Sequence, residues 1–292
     1  LGIGLPVFNG EEFLASALES LLGQTYSDFE LIISDNASTD NTEQICRFYA
    51  SKDRRVRYYR SPCNVGLHRN WNRAFAFSRS IYYKWAAHDD LYAPNYLEEC
   101  IRVLDDDSSI ILCHSKTRMI DGAGRQVRDF DDEPDARSPM PHVRFYNMVS
   151  KDHWCFRVFG VIRTQTLRNT RLHGYYFGSD RNLLAELSLL GRMDDVPDYL
   201  FYRRDHPRSS NNLPKRQLLE LYDPGRNSQM RLLSVRHFQE YAASIRRAPL
   251  SDSERALCYL ELVRLGLEKS ARRLRLQTGR LARQMHLCLP GV

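Results

Sequence analysis

The sequence lacks the features that mark several classes of protein. Its 292 residues include only 15 Gly and 12 Pro, too few for a low-complexity chain, and 11% aromatic residues are too many for a disordered one. No stretch approaches the roughly 18 apolar residues that a membrane-spanning helix needs. No basic segment with a cleavage site is visible, so we expect no signal peptide. These absences favour a globular chain with one large α/β domain and a smaller extension.

The cysteines form no metal-binding or disulfide pattern. There are seven of them, widely spaced and without a C-x-x-C pair. This pattern predicts reduced thiols in a cytoplasmic protein and argues against a disulfide framework or a zinc site.

Two common nucleotide-binding motifs are also missing. The run Gly2-Ile3-Gly4 resembles the start of a dinucleotide fingerprint, but Val7 stands where the third glycine belongs. No G-x-x-x-x-G-K-[ST] sequence occurs anywhere, which excludes a P-loop. Hydride transfer and P-loop phosphate chemistry are therefore not expected.

Over the first 120 residues, short apolar runs alternate with helical patterns. This alternation predicts a mostly parallel sheet flanked by helices, with ligands at the carboxyl ends of the strands. The predicted strands are Gly2–Val7, Phe29–Ser34, Val56–Arg60, Ile81–Ala87, Ile110–His114 and Lys116–Ile120. The predicted helices are Glu11–Gly23, Thr42–Tyr49, Leu67–Phe77 and Pro94–Leu104.

The rest of the chain divides into two parts. Residues 121–213 include an acidic loop and one clear helix, Asp180–Leu190, with an irregular pattern between them. Residues 214–292 look entirely helical and form the predicted extension, in which Arg246–Arg283 holds ten Lys/Arg against four Asp/Glu. Apolar residues recur there at helical spacing, which suits packing against the domain, a second copy of the chain or an anionic membrane surface. No nucleic acid is expected as a partner.

Polar residues follow four of the predicted strands. Asp35 is able to accept the imide N–H of a uracil, and Phe8 offers a face for the base. Asp89 and Asp90 suit a hard divalent cation whose shell phosphate oxygens complete. Taken singly, Asp35 could instead begin a turn, and Asp89-Asp90 could cap the next helix.

The order of these segments resembles family 2 of the glycosyltransferases, which have the GT-A fold. The resemblance rests on the segments LPVFNGE (residues 5–11), QTY (24–26), FELIISDNASTD (29–40) and HDD (88–90), and it covers roughly residues 1–120. It implies a Rossmann-like nucleotide-diphospho-sugar transferase fold, with residues 1–213 as the catalytic domain. Residues 1–120 of that domain would bind the nucleotide sugar, and residues 121–213 would form the acceptor side.

The resemblance also implies an activity, which is inverting transfer of a sugar from a nucleoside diphosphate, most often UDP. The residues expected to bind the nucleotide sugar are Pro6, Phe8, Asn9, Glu11, Asp35, Gly66, Asn70 and His88. Those expected to hold Mn²⁺ or Mg²⁺ are Asp89, Asp90 and His206. Many relatives have an aspartate where this chain has Ala87, which implies either compensation by His88 or Asp90 or a more loosely held metal.

Inverting transfer needs one general base beside the acceptor hydroxyl. Asp180, at the start of a helix, resembles the family's acidic residue at this place, and Glu186 is the weaker alternative. His206 resembles a family histidine that returns to the metal or diphosphate, and Arg203 or Arg204 could neutralise phosphate. Trp154 and Trp85 are candidates to flank a sugar ring, although aromatic residues more often belong to the core.

We therefore expect a metal-assisted inverting glycosyltransferase, cytoplasmic or peripheral on the inner face of a membrane. The acceptor hydroxyl would belong to a glycan or a lipid-linked molecule. Two alternatives stay open from the sequence: a sugar nucleotidyltransferase, and a non-catalytic protein that kept the fold.

Overall fold

The computed structural model describes residues 1–131, 133–209, 212–222 and 233–287, of which 215, 216, 219, 220 and 272–287 are described by their backbone alone. Cys288 and the end of the predicted extension lie outside the described residues. The six cysteines within the described part are all free thiols.

The first half of the chain forms parallel strands that alternate with helices. The strands are β1 (Gly2–Val7), β2 (Glu30–Asp35), β3 (Val56–Arg60) and β4 (Tyr82–Trp85), in the order β3-β2-β1-β4 and all parallel. β1 and β4 are buried along their whole length and β2 beyond Glu30, because helices cover both faces of the sheet, whereas the edge strand β3 buries only Val56. The helices are α1 (Leu14–Leu22), α2 (Thr42–Lys52) and α3 (Leu67–Ala76).

The second half extends this sheet with both pairing directions. Its strands are β5 (Leu91–Tyr92), β6 (Ile110–Ile120), β7 (Gln126–Phe130), β8 (Val161–Arg163) and β9 (Arg192–Arg204). The order continues β4-β8-β6-β9-β5, with β7 on β6; β6 and β9 are parallel, and the other pairs are antiparallel. The expected α/β class with flanking helices is confirmed, and the parallel pairing is concentrated in its first half.

The helices of the second half complete the flanking layers. They are α4 (Tyr96–Asp106), α5 (Pro141–Ser150), the 3-10 turn Phe156–Phe159, α6 (Thr164–Arg168), α7 (Ser179–Leu190), α8 (Lys215–Tyr222), α9 (Leu233–Arg247) and α10 (Asp252–Leu287). None of the helices within the described residues is long and apolar enough to cross a membrane.

Three element boundaries differ from the sequence prediction. The predicted strands 110–114 and 116–120 are one strand, β6, whose register with β9 shifts around Lys116 and so hides their continuity. The first helix begins at Leu14 rather than at Glu11, because residues 10–13 form a turn closed on the carbonyl of Gly10. The irregular region before Asp180 contains α5, β8 and α6.

The helices α9 and α10 pack against α5 and α7. Tyr241 and Ile245 of α9 and Leu262 of α10 share one hydrophobic cluster with Leu184 of α7 and Phe145 of α5. Burying these side chains stabilises α9 and α10 on the sheet layer. The division into residues 1–213 and 214–292 stays a prediction.

One strand pairing sets the geometry of the site. The short strand β5 follows Asp89-Asp90 directly, and it pairs with the end of β9, where Leu91 faces Tyr202. This antiparallel pairing carries the segment after Tyr202 back past the carboxyl end of β4. Residues more than a hundred positions apart therefore meet at the edge where ligands bind in such sheets.

Candidate active site

A cavity of ≈ 560 Å³ lies at the carboxyl ends of β1 and β4. Eight of the twelve residues that the sequence predicts for the site line it: Pro6, Phe8, Asn9, Asn70, His88, Asp89, Asp180 and His206. The volume falls in the range of small-molecule and cofactor sites. Segments that are far apart in sequence thus contribute to one concave surface.

Four charged residues form a cluster that we call the ionic end of the cavity: Asp89, Asp90, Arg203 and His206. His206 donates from Nε2 to Asp89 Oδ2 at 2.9 Å. Arg203 donates from Nη1 to Asp90 Oδ1 at 2.8 Å and lies 3.5 Å from Asp89 Oδ2. The backbone N–H of Arg204 also donates to Asp90 Oδ1, at 2.9 Å. Asp89 and His206 line the cavity, whereas Asp90 is fully buried beneath them.

The two carboxylates of the ionic end differ in their proton affinity. Burial disfavours the charged form of Asp89, but Arg203 and the hydrogen bond from His206 outweigh it and hold its pKa well below the usual range. Burial raises the pKa of Asp90, and the charge of Asp89 adds to this rise while Arg203 opposes it. Burial also lowers the pKa of His88. The ionic end thus carries its own countercharges.

Asp180 lines the same cavity but is far from Asp89 in the sequence and belongs to a different element. It is the second residue of α7 and follows Gly178, whose φ of 77° suits glycine. Its Oδ1 accepts from the backbone N–H of Arg181 at 2.8 Å, and the Cys155 thiol is a further hydrogen-bond partner. Burial raises the pKa of Asp180, which makes its carboxylate a stronger base.

The loop after β1 is tied to the loop after β2. Asn9, at φ 52°, donates from its backbone N–H to Ser38 Oγ at 3.0 Å, and its Oδ1 accepts from Thr39 N at 2.8 Å. Asn70 is buried at the cavity wall and exchanges hydrogen bonds with Ser34. These contacts hold Phe8 and Asn9 in fixed positions at the cavity wall.

Glu11, Asp35 and Gly66, which are expected to bind the nucleotide sugar, lie outside the lining of this cavity. The carboxylate of Glu11 is exposed and accepts from the backbone and side chain of Asn41. Asp35 is fully buried, with Oδ2 accepting from Tyr58 Oη at 2.7 Å and Oδ1 from Ser38 N at 2.9 Å. Gly66 has φ 90° at the start of α3 and so serves the backbone turn. Asp35 and Glu11 therefore hold the loops in this structure.

The remaining candidates, Glu186, Trp85 and Trp154, lie in different environments. Glu186 is buried away from the cavity, where its carboxylate is 2.7 Å from Arg247 Nη2. It is therefore not placed to act as a base. Trp85 belongs to the core, and Trp154 is 49% exposed and lines the cavity.

Aromatic and histidine side chains that the sequence prediction missed form what we call the aromatic end of the cavity: His68, Trp71, His173 and Tyr222. The ring of His68 lies 4.8 Å from that of His173 and 4.7 Å from that of Tyr222. These residues come from α3, α8 and the loop before α7, and no local motif marks them. The sequence indicates for Arg203 only that it could neutralise phosphate. Its pairing with Asp89 and Asp90 depends on the fold.

The ionic end also bears on metal binding. Within the described part of the chain, no three or more His, Cys, Asp or Glu side chains are grouped so as to hold a metal ion. Asp89 Oδ2 and His206 Nε2 form a set of two, and Asp90 Oδ2 is buried without a hydrogen-bond partner among the described residues. Mg²⁺ is commonly bound through one or two protein ligands together with substrate phosphates. The residues therefore fit a cation that binds together with a diphosphate.

Solved structures of glycosyltransferases share this architecture. Residues 1–349 of S. aureus TarS, in complex with UDP-GlcNAc, match with a TM-score of 0.66 at 17% identity, over 89% of this chain and 71% of that one. The mannosyltransferase PcManGT from Pyrobaculum calidifontis, in complex with GDP-Man and Mn²⁺, matches with a TM-score of 0.54 at 15% identity, over 99% and 80% of the two chains. At such identities the likeness shows the fold.

Sequence relatives and a family model identify the family. An uncharacterized glycosyltransferase of Rickettsia felis is 29% identical over 48% of this chain, and the chondroitin synthase of Escherichia coli is 30% identical over 44%. The chain spans less than a quarter of the length of these two relatives, 23% and 18% respectively. The family model described as "Glycosyl transferase family 2" matches residues 3–162, which is more than half of the chain. The chain therefore belongs to glycosyl transferase family 2.

Proposed function

We propose that this chain transfers a sugar from a UDP-sugar to an acceptor hydroxyl by a single, inverting displacement in which Asp180 is the general base. The observation that carries the proposal is that Asp180 and the Asp89–His206 pair line the same cavity. Such a cavity accommodates the diphosphate at one wall and the attacking hydroxyl at another.

The donor is a nucleoside-diphosphate sugar, as the family membership implies. The Pro6–Asn9 loop, Asn70 and His88 would contact the nucleotide, because they line the cavity beside Asp89. UDP is the first candidate, since the TarS structures with TM-scores of 0.64 and 0.66 are complexes with UDP and UDP-GlcNAc. The GDP-mannose complex of PcManGT, at 0.54, makes GDP the second candidate to assay.

The chemistry assigned to Asp180 follows from its position. The acceptor oxygen forms a bond to the anomeric carbon while the bond from that carbon to the diphosphate oxygen breaks. The proton of the acceptor hydroxyl passes to the Asp180 carboxylate, and the nucleoside diphosphate leaves with the bonding electrons. A carboxylate whose pKa is raised by burial accepts this proton more readily than an exposed one.

Asp89 and His206 would hold a divalent cation, Mn²⁺ or Mg²⁺, together with phosphate oxygens of the donor. When bound, such a cation neutralises charge that develops on the leaving diphosphate. Arg203 supplies a fixed positive charge at the same wall, and this charge is present whether or not a cation is bound.

A donor screen combined with one substitution tests the proposal. We expect the wild-type protein to release UDP from at least one UDP-sugar with Mn²⁺ or Mg²⁺. Asp180→Asn should lower turnover by at least ~10²-fold while UDP affinity stays within about twofold, because an amide cannot take the proton. Asp152→Asn, which removes an exposed carboxylate outside the cavity lining, is the matched control and should keep wild-type turnover. Wild-type turnover by Asp180→Asn would show that another group is the base.

The partners on the acceptor side stay predictions. α10 exposes Leu260, Val263 and Leu267 at 64%, 60% and 67%, which suits either a second copy of the chain or an anionic membrane surface bearing a lipid-linked acceptor. Sedimentation of the purified chain tests the first. Co-flotation with phosphatidylserine vesicles tests the second, and the predicted cytoplasmic, membrane-peripheral location depends on it.

A further inference from the structure

Two aromatic side chains of the cavity wall are exposed. Trp154 and Phe177 line the cavity, and they are 49% and 39% accessible. The other aromatic residues that line it in the described part of the chain are buried or half-buried: Phe8, Phe13, Trp71, Phe156, Phe159 and Tyr222. Large apolar side chains left open in a concave site are typical of a surface that contacts a ligand. A molecule in the cavity can reach both of these rings.

Trp154 lies close to the proposed base, Asp180, because a neighbouring arginine ties their segments together. Arg181, the residue after Asp180, donates from Nη1 to the carbonyl of Lys151 at 3.0 Å. It also donates from Nη2 to the carbonyl of His153, at 3.0 Å. The segment that leads into Trp154 is therefore held against the start of α7.

Phe177 approaches the same place from the segment before α7. Only two residues separate it from Asp180, and one of them is Gly178, whose φ of 77° turns the chain there. The ring of Phe177 meets the edge of the Tyr222 ring at 5.7 Å. An acceptor whose hydroxyl reaches Asp180 therefore passes both Phe177 and Trp154.

The indole of Trp154 is fixed by its neighbours although half of its surface is open. Its ring is parallel to that of Phe156, with centroids 6.2 Å apart, and meets the ring of Phe130 edge-on at 5.8 Å. The guanidinium of Arg128 lies 5.7 Å from its centroid. A side chain that is already ordered loses little conformational entropy when a ligand binds to it.

These surroundings match a sugar ring. The C–H face of a pyranose is apolar enough to lie against an aromatic ring, and its hydroxyl groups both donate and accept hydrogen bonds. The carboxylate of Asp180 accepts such bonds, and the guanidinium of Arg128 donates them. A lipid chain would need a continuous apolar surface, whereas exposed Lys151 and Asp152 directly precede Trp154.

We propose that Trp154 and Phe177 form an acceptor subsite for a saccharide, in which the pyranose that carries the attacking hydroxyl lies against both rings beside Asp180. The proposal rests on the proposed function, because it takes Asp180 as the base that this hydroxyl reaches. It assigns the acceptor to the carbohydrates, rather than to acyclic polyols or lipid alcohols.

The first test compares cyclic sugars with alcohols that have no ring. With a nucleotide sugar that the wild type turns over, glycosylated product would be measured for cellobiose, lactose, chitobiose and glucuronosyl-N-acetylglucosamine, and for glucitol and n-octanol. We expect at least one disaccharide to be glycosylated and neither alcohol to react. Trp154→Ala should then raise the KM for that disaccharide roughly tenfold, and Phe177→Ala should raise it less, while UDP affinity stays within about twofold.

Phe48→Ala is the matched control for these variants. Phe48 is an exposed aromatic residue of α2 that lies outside the cavity lining, so its removal should leave the KM for the disaccharide unchanged. The assignment is overturned if no disaccharide is glycosylated, if Trp154→Ala keeps the wild-type KM, or if it loses UDP affinity to the same extent.

The second test needs no donor. Acrylamide quenches the fluorescence of accessible tryptophans, and Trp154 is more exposed than Trp71 and Trp85. The same disaccharides should reduce quenching in the wild type and not in Trp154→Phe. No reduction in the wild type, or an equal one in the variant, would contradict the subsite. If the wild type turns over no UDP-sugar and no GDP-mannose, the proposed function fails, and the quenching result still decides whether a saccharide binds at Trp154.

Discussion

The two ends of the cavity satisfy their polar groups in opposite ways. At the ionic end, Asp89 is bound to His206 and lies beside Arg203, so its negative charge is balanced inside the protein. At the aromatic end, His173 is as deeply buried, yet its two nitrogens have no partner among the described residues. One end has its charges balanced by neighbouring side chains, and the other keeps buried polar atoms without a partner among the described residues.

In the proposed function, the ionic end would bind the diphosphate and its cation, because its charged groups and its Asp89–His206 pair lie there. The aromatic end holds ring faces and a neutral imidazole instead. The charged part of a nucleotide sugar would therefore lie at the ionic end.

The largest expected effect comes from breaking the ionic end. Arg203→Met would leave the carboxylates of Asp89 and Asp90 side by side without the guanidinium that pairs with both. We expect the free energy of unfolding to fall by about 3–5 kcal/mol. Urea unfolding of the ligand-free protein measures this loss. Combining Arg203→Met with Asp90→Asn should restore part of the stability, because one of the two buried charges is then gone.

Arg208 provides the control for that substitution. It also lines the cavity, but its ion pair with Glu12 is exposed, with side chains 62% and 50% accessible. Arg208→Met should change the free energy of unfolding by no more than ~0.5 kcal/mol, since exposed ion pairs contribute little. Equal effects of the two substitutions would mean that the ionic end is not held together by its charges.

A smaller effect is expected when one proposed metal ligand is removed. His206→Ala should weaken Mn²⁺ binding in the presence of UDP by at least roughly 10- to 100-fold, because losing even a residue that only supports a metal ligand costs that much. Electron paramagnetic resonance of free Mn²⁺ measures it without any turnover. His142→Ala on α5, outside the cavity lining, should bind Mn²⁺ like the wild type. If His206→Ala binds Mn²⁺ as tightly as the wild type, His206 is not a ligand of the cation.

Sequence patterns predict the first half of the molecule well because its structure is local in sequence. β1, β2 and β3 are each followed by a helix, so apolar runs and helical patterns alternate along the sequence. Asp89 could be predicted for the site because it follows the end of a strand, and Asp180 because it resembles the family's acidic residue at the start of a helix. The long strand β9 could not be predicted in full, since its alternation is broken by Asp and Pro residues at 194–198 and its pairing partners are distant.

The remaining differences arise from hydrogen bonds that only the folded chain defines. Asp35 stands at a strand end, as a base-binding residue would, but Tyr58 of the neighbouring strand and Ser38 of its own loop take up its carboxylate oxygens. His173 has no motif, and its backbone is fixed by Asn72, about a hundred residues earlier. A pattern of residue types predicts which edge of the sheet binds, and tertiary contacts decide which side chains reach the ligand.

The smallest effect separates the two ends by their response to acid. The pKa of His173 lies well below its value in the unfolded chain, about 6.5, so below that pH the unfolded state takes up a proton that the native state refuses. The native state is therefore favoured above this pH, and its free energy of unfolding falls as the pH drops from 7 to 5. His173→Phe should reduce this fall by about 1 kcal/mol per pH unit below pH 6.

His114→Phe is the control. It should also make the free energy of unfolding less dependent on pH, because burial lowers the pKa of His114 too, but its free energy of unfolding at pH 7 should be lower than that of the wild type. Urea unfolding at pH 7, 6 and 5 gives the pH dependence of the free energy of unfolding for the wild type and both variants. If His173→Phe shows the same pH dependence as the wild type, then the imidazole of His173 is charged in the native wild-type protein and the aromatic end is not neutral.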